Sequence, residues 1–333
     1  MPKLSRRVFH GRLLAGGSLA GGVLAGGLLG TAGCVPSPDL AQAEWIWGSY
    51  GFSDGRFIKP RAITIDSEDR LYIVDTTGRI QVFDTDGNFL RKWKTPATEN
   101  GRPTGLAFES ATANRSGQPR ILVADTHYYR VLAYSLAGDL IDAETIGGVS
   151  GSRDGEFAFV TDVTVDAQGN RYVGEYNASD RIQKFDRDGR FVCGWGGTGS
   201  EPGQFLRPQS LMVWDDVLYV ADASNHRLQR FDLREERPRL IDIWSGPGKS
   251  PGQLLYPYGI DRTPGGLVVV IEYQNGRVQA FDRDGNSRGT WGAPGLESGQ
   301  FNNPWGLVVD SRGRVHVLDS NNHRIQRIPP VFA

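Results

Sequence analysis

Gly299-Gln300-Phe301-Asn302-Asn303-Pro304-Trp305-Gly306-Leu307-Val308-Val309-Asp310-Ser311-Arg312-Gly313-Arg314-Val315-His316-Val317-Leu318-Asp319-Ser320-Asn321-Asn322-His323-Arg324-Ile325-Gln326-Arg327-Ile328 is the stretch whose pattern decides the fold. A Gly-Gln-Phe turn leads into a first strand from Pro304 to Asp310, and Ser311 to Arg314 turns the chain. Val315 to Asp319 is a second strand, Ser320 to His323 a polar loop, and Arg324 to Ile328 a third strand alternating apolar and polar residues. That last phrase occurs six times, at Arg79-Ile80-Gln81-Val82-Phe83, Arg130-Val131-Leu132-Ala133-Tyr134, Arg181-Ile182-Gln183-Lys184-Phe185, Arg227-Leu228-Gln229-Arg230-Phe231, Arg277-Val278-Gln279-Ala280-Phe281 and Arg324-Ile325-Gln326-Arg327-Ile328. The intervals are 51, 51, 46, 50 and 47 residues, a period in the range of propeller blades. In the other copies a turn such as Asp186-Arg187-Asp188-Gly189 follows, and then a fourth strand ending in Trp or Gly. Four short antiparallel strands per copy define a blade, so the expected fold is all-β, a six-bladed β-propeller.

Composition agrees with many short strands and tight turns. Of 333 residues 44 are Gly, 10% are aromatic and only two are Met. The six copies together are similar to the NHL repeat family, and the resemblance runs from Trp45 to Ile328. Two copies depart from the pattern: the second inserts polar residues from Glu109 to Gln118, and in the third Val160-Thr161 replaces the Pro-led start. The last copy stops after three strands, at Ile328-Pro329-Pro330, where proline pairs badly in a ladder. Trp45-Ile46-Trp47-Gly48 has the form that ends other copies, as in Gly194-Trp195-Gly196. The strand 44–48 is therefore expected to complete the sixth blade and close the ring, leaving no long free edge.

Ahead of the repeats, Lys3, Arg6, Arg7 and Arg12 precede an acid-free apolar run from Leu13 to Gly30, the pattern of a targeting segment. Ser5-Arg6-Arg7-Val8-Phe9 resembles the twin-arginine export motif, and Thr31-Ala32-Gly33-Cys34 resembles a lipoprotein processing site with Cys34 as the lipidated residue. Residues 1–33 then form an export signal, 34–43 a Pro-rich linker and 44–333 the propeller. Cleavage after Ala41-Gln42-Ala43 is the competing processing site, and an uncleaved anchor is the alternative for the apolar run. Paired glycines such as Gly16-Gly17 weaken the anchor's helicity and hydrophobicity. The expected location is periplasmic or cell-surface, with membrane contact only through the signal or a lipid. With Cys34 lipidated or removed, Cys193 stands alone and cannot form an intramolecular disulfide, and it is expected as a small buried hydrophobe. Without residues 1–33 the chain carries 33 basic and 38 acidic residues, a formal charge of −5, which argues against a nucleic-acid partner.

A position alike in all copies most simply serves the blade; one that faces a shared surface yet differs in each is free to be specific. The second strand ends in an acid every time, four to six residues before the arginine of the third. Asp75 with Arg79, Asp125 with Arg130, Glu175 with Arg181, Asp222 with Arg227, Glu272 with Arg277 and Asp319 with Arg324 are expected as bidentate structural ion pairs. The alternative is an acidic ring holding Ca²⁺. His127, His226 and His323 could suggest Zn²⁺, yet they fall on blades two, four and six, far apart around a ring. No cofactor is expected, with Ca²⁺ or Zn²⁺ the alternatives. The residue opening the first strand changes in every copy: Arg61, Thr104, Thr161, Gln209, Tyr258 and Trp305, with Asp162 intruding where the others carry Gly, Ala or Ser. Around a channel mouth these make a small-ligand or peptide site, with Arg61 and Trp305 adjacent at closure. Tyr128, Tyr129, Tyr176, Tyr256 and Tyr273 would enlarge the same face.

The resemblance implies either a partner-binding module or the peptidylglycine-type lyase branch, which relies on zinc held by histidines near the channel. Here Lys59, Arg102, Phe159, Arg207, Tyr256 and Asn303 stand just before the first strands, where no histidine occurs. No Gly-x-Ser-x-Gly, His-Glu-x-x-His or phosphate-binding glycine loop occurs either. The expected function is an exported binding module for a peptide, glycan or protein. The alternative is a metal-dependent lyase or hydrolase acting in the channel.

Overall fold

In the computed structural model, residues 42–332 are described, so the readings of residues 1–41, Cys34 included, lie outside them. Six four-stranded antiparallel sheets stand around a ring, making a six-bladed β-propeller. Blade one runs Pro60–Ile65, Leu71–Asp75, Arg79–Phe83 and Phe89–Lys94 from the channel outward; blade four runs Pro208–Trp214, Val217–Asp222, Arg227–Asp232 and Arg239–Trp244. Blade six takes Leu307–Val309, Val315–Asp319 and Arg324–Ile328 from one end of the domain and Trp45–Trp47 from the other. Trp45 faces Arg327, Ile46 faces Gln326 and Trp47 faces Ile325, so the early strand seals the edge that Pro329 leaves.

Alternation within each strand makes the seams. In Leu228 and the residues aligned with it the apolar side chain enters the core, whereas Arg227 and Gln229 turn together toward the loops. Six apolar clusters result, one for each pair of adjacent blades. The cluster joining blades six and one contains Trp47, Phe57, Ile63, Phe83, Val308 and Ile325. Trp47 also lies against the turn of blade one at Gly87, where φ is +84° and a Cβ would come 2.7 Å from the indole. A side chain there would drive the two blades apart.

The insertion in blade two has a structural use. Its strand Gly105–Glu109 delivers Glu109 to Arg171 of blade three in a fully buried bidentate pair at 2.9 and 3.1 Å. Cys193 differs from expectation: it sits half-buried on an outer strand, Phe191–Gly196, where alternation leaves one face open, and its thiol lies 3.4 Å from the Glu236 carbonyl.

Candidate functional site

The acid and arginine that recur in each blade meet at 2.5–2.9 Å, all six acids being fully buried. The expected bidentate geometry is not what forms. One guanidinium nitrogen reaches the acid, and in five blades the others donate to carbonyls of the loop ahead of the first strand. Arg227, for example, donates to Asp222 at 2.8 Å and to the carbonyls of Ser200, Glu201 and Gln204. The arginine has several donors and the loop has orphan carbonyls, so spreading the donors satisfies both. In blade two the loop of residues 95–104 offers Arg130 no carbonyl; Arg130 lies over the Tyr128 ring instead, 5.2 Å from its centre.

These staples aim the loop at the channel. Asp222 accepts the backbone N–H of Leu206, and the next residue, Arg207, adopts a left-handed conformation with φ of +61°. Lys59, Tyr256 and Asn303, at the same place in other blades, do likewise. The first strands then bulge: register shifts by one between Pro60 and Ala62, Val160 and Asp162, Pro208 and Ser210, and Pro257 and Gly259. The position that varies from blade to blade is thus the bulged residue, and bulges re-aim side chains.

The channel encloses about 350 Å³. Arg61, Thr104, Asp162, Gln209, Tyr258 and Trp305 line it, joined by Asp261, which sequence reasoning missed. Thr161 does not: its hydroxyl donates to the Pro208 carbonyl at 2.5 Å, and it is buried in the wall toward blade four. Thr104 and Gln209 are also partly committed, Thr104 to the Thr161 carbonyl at 2.8 Å and Gln209 as acceptor of Arg207 Nε at 2.8 Å.

Aromatic rings form a belt around the opening. His127 lies 4.7 Å from Phe159, Phe159 is 5.5 Å from Tyr176, Tyr258 is 4.6 Å from Tyr273 and 5.4 Å from Trp305. Two guanidinia fill the gaps. Arg207 stands 5.0 Å from Tyr176 and 5.3 Å from Tyr258, and Arg61 lies 4.7 Å over Trp305. Burial, and then the charges of Arg102 and Arg207, hold the Arg61 guanidinium below its ordinary value. The missed arginines follow the loop rather than the strand, and only the left-handed turn brings Arg207 inward.

Deeper in the channel Asp162 accepts the Leu211 N–H at 3.0 Å, and Asp261 accepts that of Val309 at 2.8 Å, each reaching across a seam. Burial pushes the Asp162 carboxyl up to about 7 and that of Asp261 up to about 6, against these hydrogen bonds. Histidine has another role here: His226 Nδ1 accepts the Tyr256 N–H at 3.1 Å and His323 Nδ1 that of Lys59 at 3.0 Å, clasping neighbouring blades. Tyr129, not His127, occupies the matching left-handed position in blade two. Among the described residues no three His, Cys, Asp or Glu side chains gather in a metal-holding group.

The NHL repeat family model matches residues 205–231 and 301–328. NHL repeat-containing protein 3 of Mus musculus is 28% identical over 182 residues, 51% of this chain and 51% of its own length. Peptidyl-glycine alpha-amidating monooxygenase B of Xenopus laevis is 40% identical over 88 residues, 24% of this chain and 10% of its own. The chain thus spans about half or less of the length of these curated relatives. An auxiliary nutrient binding protein from Bacteroides thetaiotaomicron is similar in structure, with a TM-score of 0.60 at 13% identity, over 81% of this chain and 69% of that one. At that identity the likeness concerns the fold alone.

Proposed function

We propose that this NHL-repeat propeller is a binding module, exported to the periplasm or cell surface, which receives a peptide, glycan or protein group at its channel mouth. The observation that carries it is the Arg61 guanidinium over Trp305, 4.7 Å away, at the seam where the ring closes. With Arg207 between Tyr176 and Tyr258 it makes an opening of flat apolar faces and directed donors, the chemistry of a recognition site rather than of a bare rim. Export draws on residues 1–43 and their resemblance to signal and processing sites.

The test is capture of partners by the full chain and by Trp305→Ala and Tyr258→Ala. Loss of a specific partner or glycan in both variants, with melting unchanged, is the expected result. Capture that is indifferent to both would move the site off the mouth.

Asp162 favours a second reading, a lyase or hydrolase in the channel, because a carboxyl pushed up to about 7 exchanges protons near neutral pH. Metal analysis and a melt with chelator separate the two. A stoichiometric metal with a lowered melting temperature would favour catalysis, and an unchanged melt the binding module.

A further inference from the structure

Arg61, Arg102 and Arg207 differ from the six staple arginines in what they lack. Each of the six staple arginines has its acid at 2.5–2.9 Å. Among the described residues the three mouth arginines make no ion pair, and Arg61 makes no hydrogen bond either. Arg207 donates through Nε to Gln209, and Arg102 donates to the carbonyls of Thr76 and Gly101. Arg102 and Arg207 are close enough to act on Arg61, whose charged form both disfavour.

Nearby acids are engaged elsewhere. Asp180 accepts the backbone N–H of Arg207 and the hydroxyl of Thr198. Glu99 accepts the Tyr128 hydroxyl, and Asp162 is held by backbone amides and Ser210. The rest of the chain is not basic, since residues 34–333 carry a formal charge of −5, so a local positive opening is no by-product of composition. Guanidinia supported only by ring faces and neutral oxygens leave donors for an incoming acceptor, all of them on Arg61 and the remainder on Arg102 and Arg207, and like charges at one opening disfavour the empty site.

We propose that the mouth is a receptor for a compact oxyanion, a carboxylate or phosphate, borne on a flat apolar body, with Arg61, Arg102 and Arg207 gripping the anion and Trp305 and Tyr258 flanking the body. It rests on the binding reading of the mouth and names the ligand class. The two guanidinia stacked on rings are oriented in advance, and a carboxylate or phosphate matches their planar fork.

The test is titration of the full chain at low salt with benzoate, phenyl phosphate and inorganic phosphate, against benzyl alcohol and benzylammonium, by calorimetry and tryptophan fluorescence. Benzoate or phenyl phosphate should bind more tightly than benzyl alcohol. Arg61→Gln and Arg207→Gln should each weaken that binding about tenfold, with Arg61→Lys losing less. A tighter hold on phenyl phosphate than on benzoate points to a phosphate ester as the natural ligand, the reverse to a carboxylate. Since Arg61 has no hydrogen bond to lose, its variant serves alone if the Arg207 variant does not fold.

Equal binding of benzyl alcohol or benzylammonium, abolished by Trp305→Leu, would overturn the anion and leave the mouth as a ligand site. Benzoate and phenyl phosphate binding untouched by Arg61→Gln would overturn the arginine grip. If none of these probes binds and partner capture is also indifferent to Trp305→Ala, both readings fall.

Discussion

Asp162 is the residue at which the channel's chemistry and the fold's stability oppose each other. Its carboxyl is buried, touches the amide of Leu211 and lies so close to Gly105 that a Cβ there would sit 2.4 Å from Oδ1. In the unfolded chain an aspartate titrates near 3.9, and in the fold burial raises this one to about 7. The folded state therefore holds an extra proton between those values, and stability contributed by the neutral acid is full below about 4 and lost as pH rises through about 7. Asp162→Asn, which keeps an acceptor for Leu211, should remove that slope and gain on the order of a few kcal/mol at pH 8 relative to pH 5. Urea midpoints of both proteins across pH 4–9 check it; parallel curves would mean that Asp162 is ionised without cost. That this position is exceptional was legible, because an acid stood where other copies carry Gly, Ala or Ser. Asp261 was not, since it sits in the strand Pro257–Arg262 three residues beyond the variable position, and only the bulge at Tyr258 turns it inward. Arg102 and Arg207 were read for the histidine they are not. Their charges act on Arg61 across three blades, and no local pattern encodes nearness between residues so far apart in the chain.

At the scale of the element, a strand ending in an acid followed by an Arg-apolar-Gln strand is a device for holding the loop before the next turn of the blade. Asp222 accepts from Arg227 Nε, Gln229 Nε2, Asn225 Nδ2 and the Leu206 amide, the last placing Arg207. Arg227→Met keeps the stem's packing but leaves a buried carboxylate without its cation and removes a donor from three loop carbonyls, of which Glu201 and Gln204 keep another. Its expected cost is about 3–5 kcal/mol. Amide exchange should rise across residues 200–207 ahead of the rest of blade four, a result that global destabilisation alone would not give. Gln229→Leu is the milder comparison: blade two carries Leu132 at this place, so the apolar residue fits, and the loss is confined to the contacts with Gly203, Gln204 and Asp222, which keeps its cation. The six-fold recurrence made the pairing readable. The division of guanidinium donors between acid and carbonyls was not, since it depends on a loop of the same blade over twenty residues earlier. The Glu109–Arg171 pair was hidden for a like reason, a single insertion meeting a single strand across a seam.

For the whole molecule, closure is the property that distinguishes a ring of repeats from a row of them. In a row each repeat rests on its neighbours and the ends fray; in this ring the seam of blades six and one is built like the other five, but depends on a strand supplied by the opposite end of the domain. Around that strand, Glu44 and Asp86 both hold Arg327, at 3.1 and 2.7 Å, and Trp45 Nε1 donates to the Asp86 carbonyl at 3.0 Å. Trp47→Ala empties the site over Gly87 and should cost about 3–5 kcal/mol, the range for a buried aromatic truncated to Ala. Deletion of residues 45–47 should do more than a cavity, exposing Arg324–Ile328 as a free edge and loosening the seam that holds Arg61 over Trp305. Two readings of one experiment separate the cases. With Trp47→Ala, unfolding in urea stays a single transition at a lower midpoint, and benzoate or phenyl phosphate binding persists while the protein is folded. With the deletion, blades six and one exchange their amides first and binding is lost before global unfolding. If the deleted chain kept both its midpoint and its mouth, the early strand would be an accessory to the ring and not its closure.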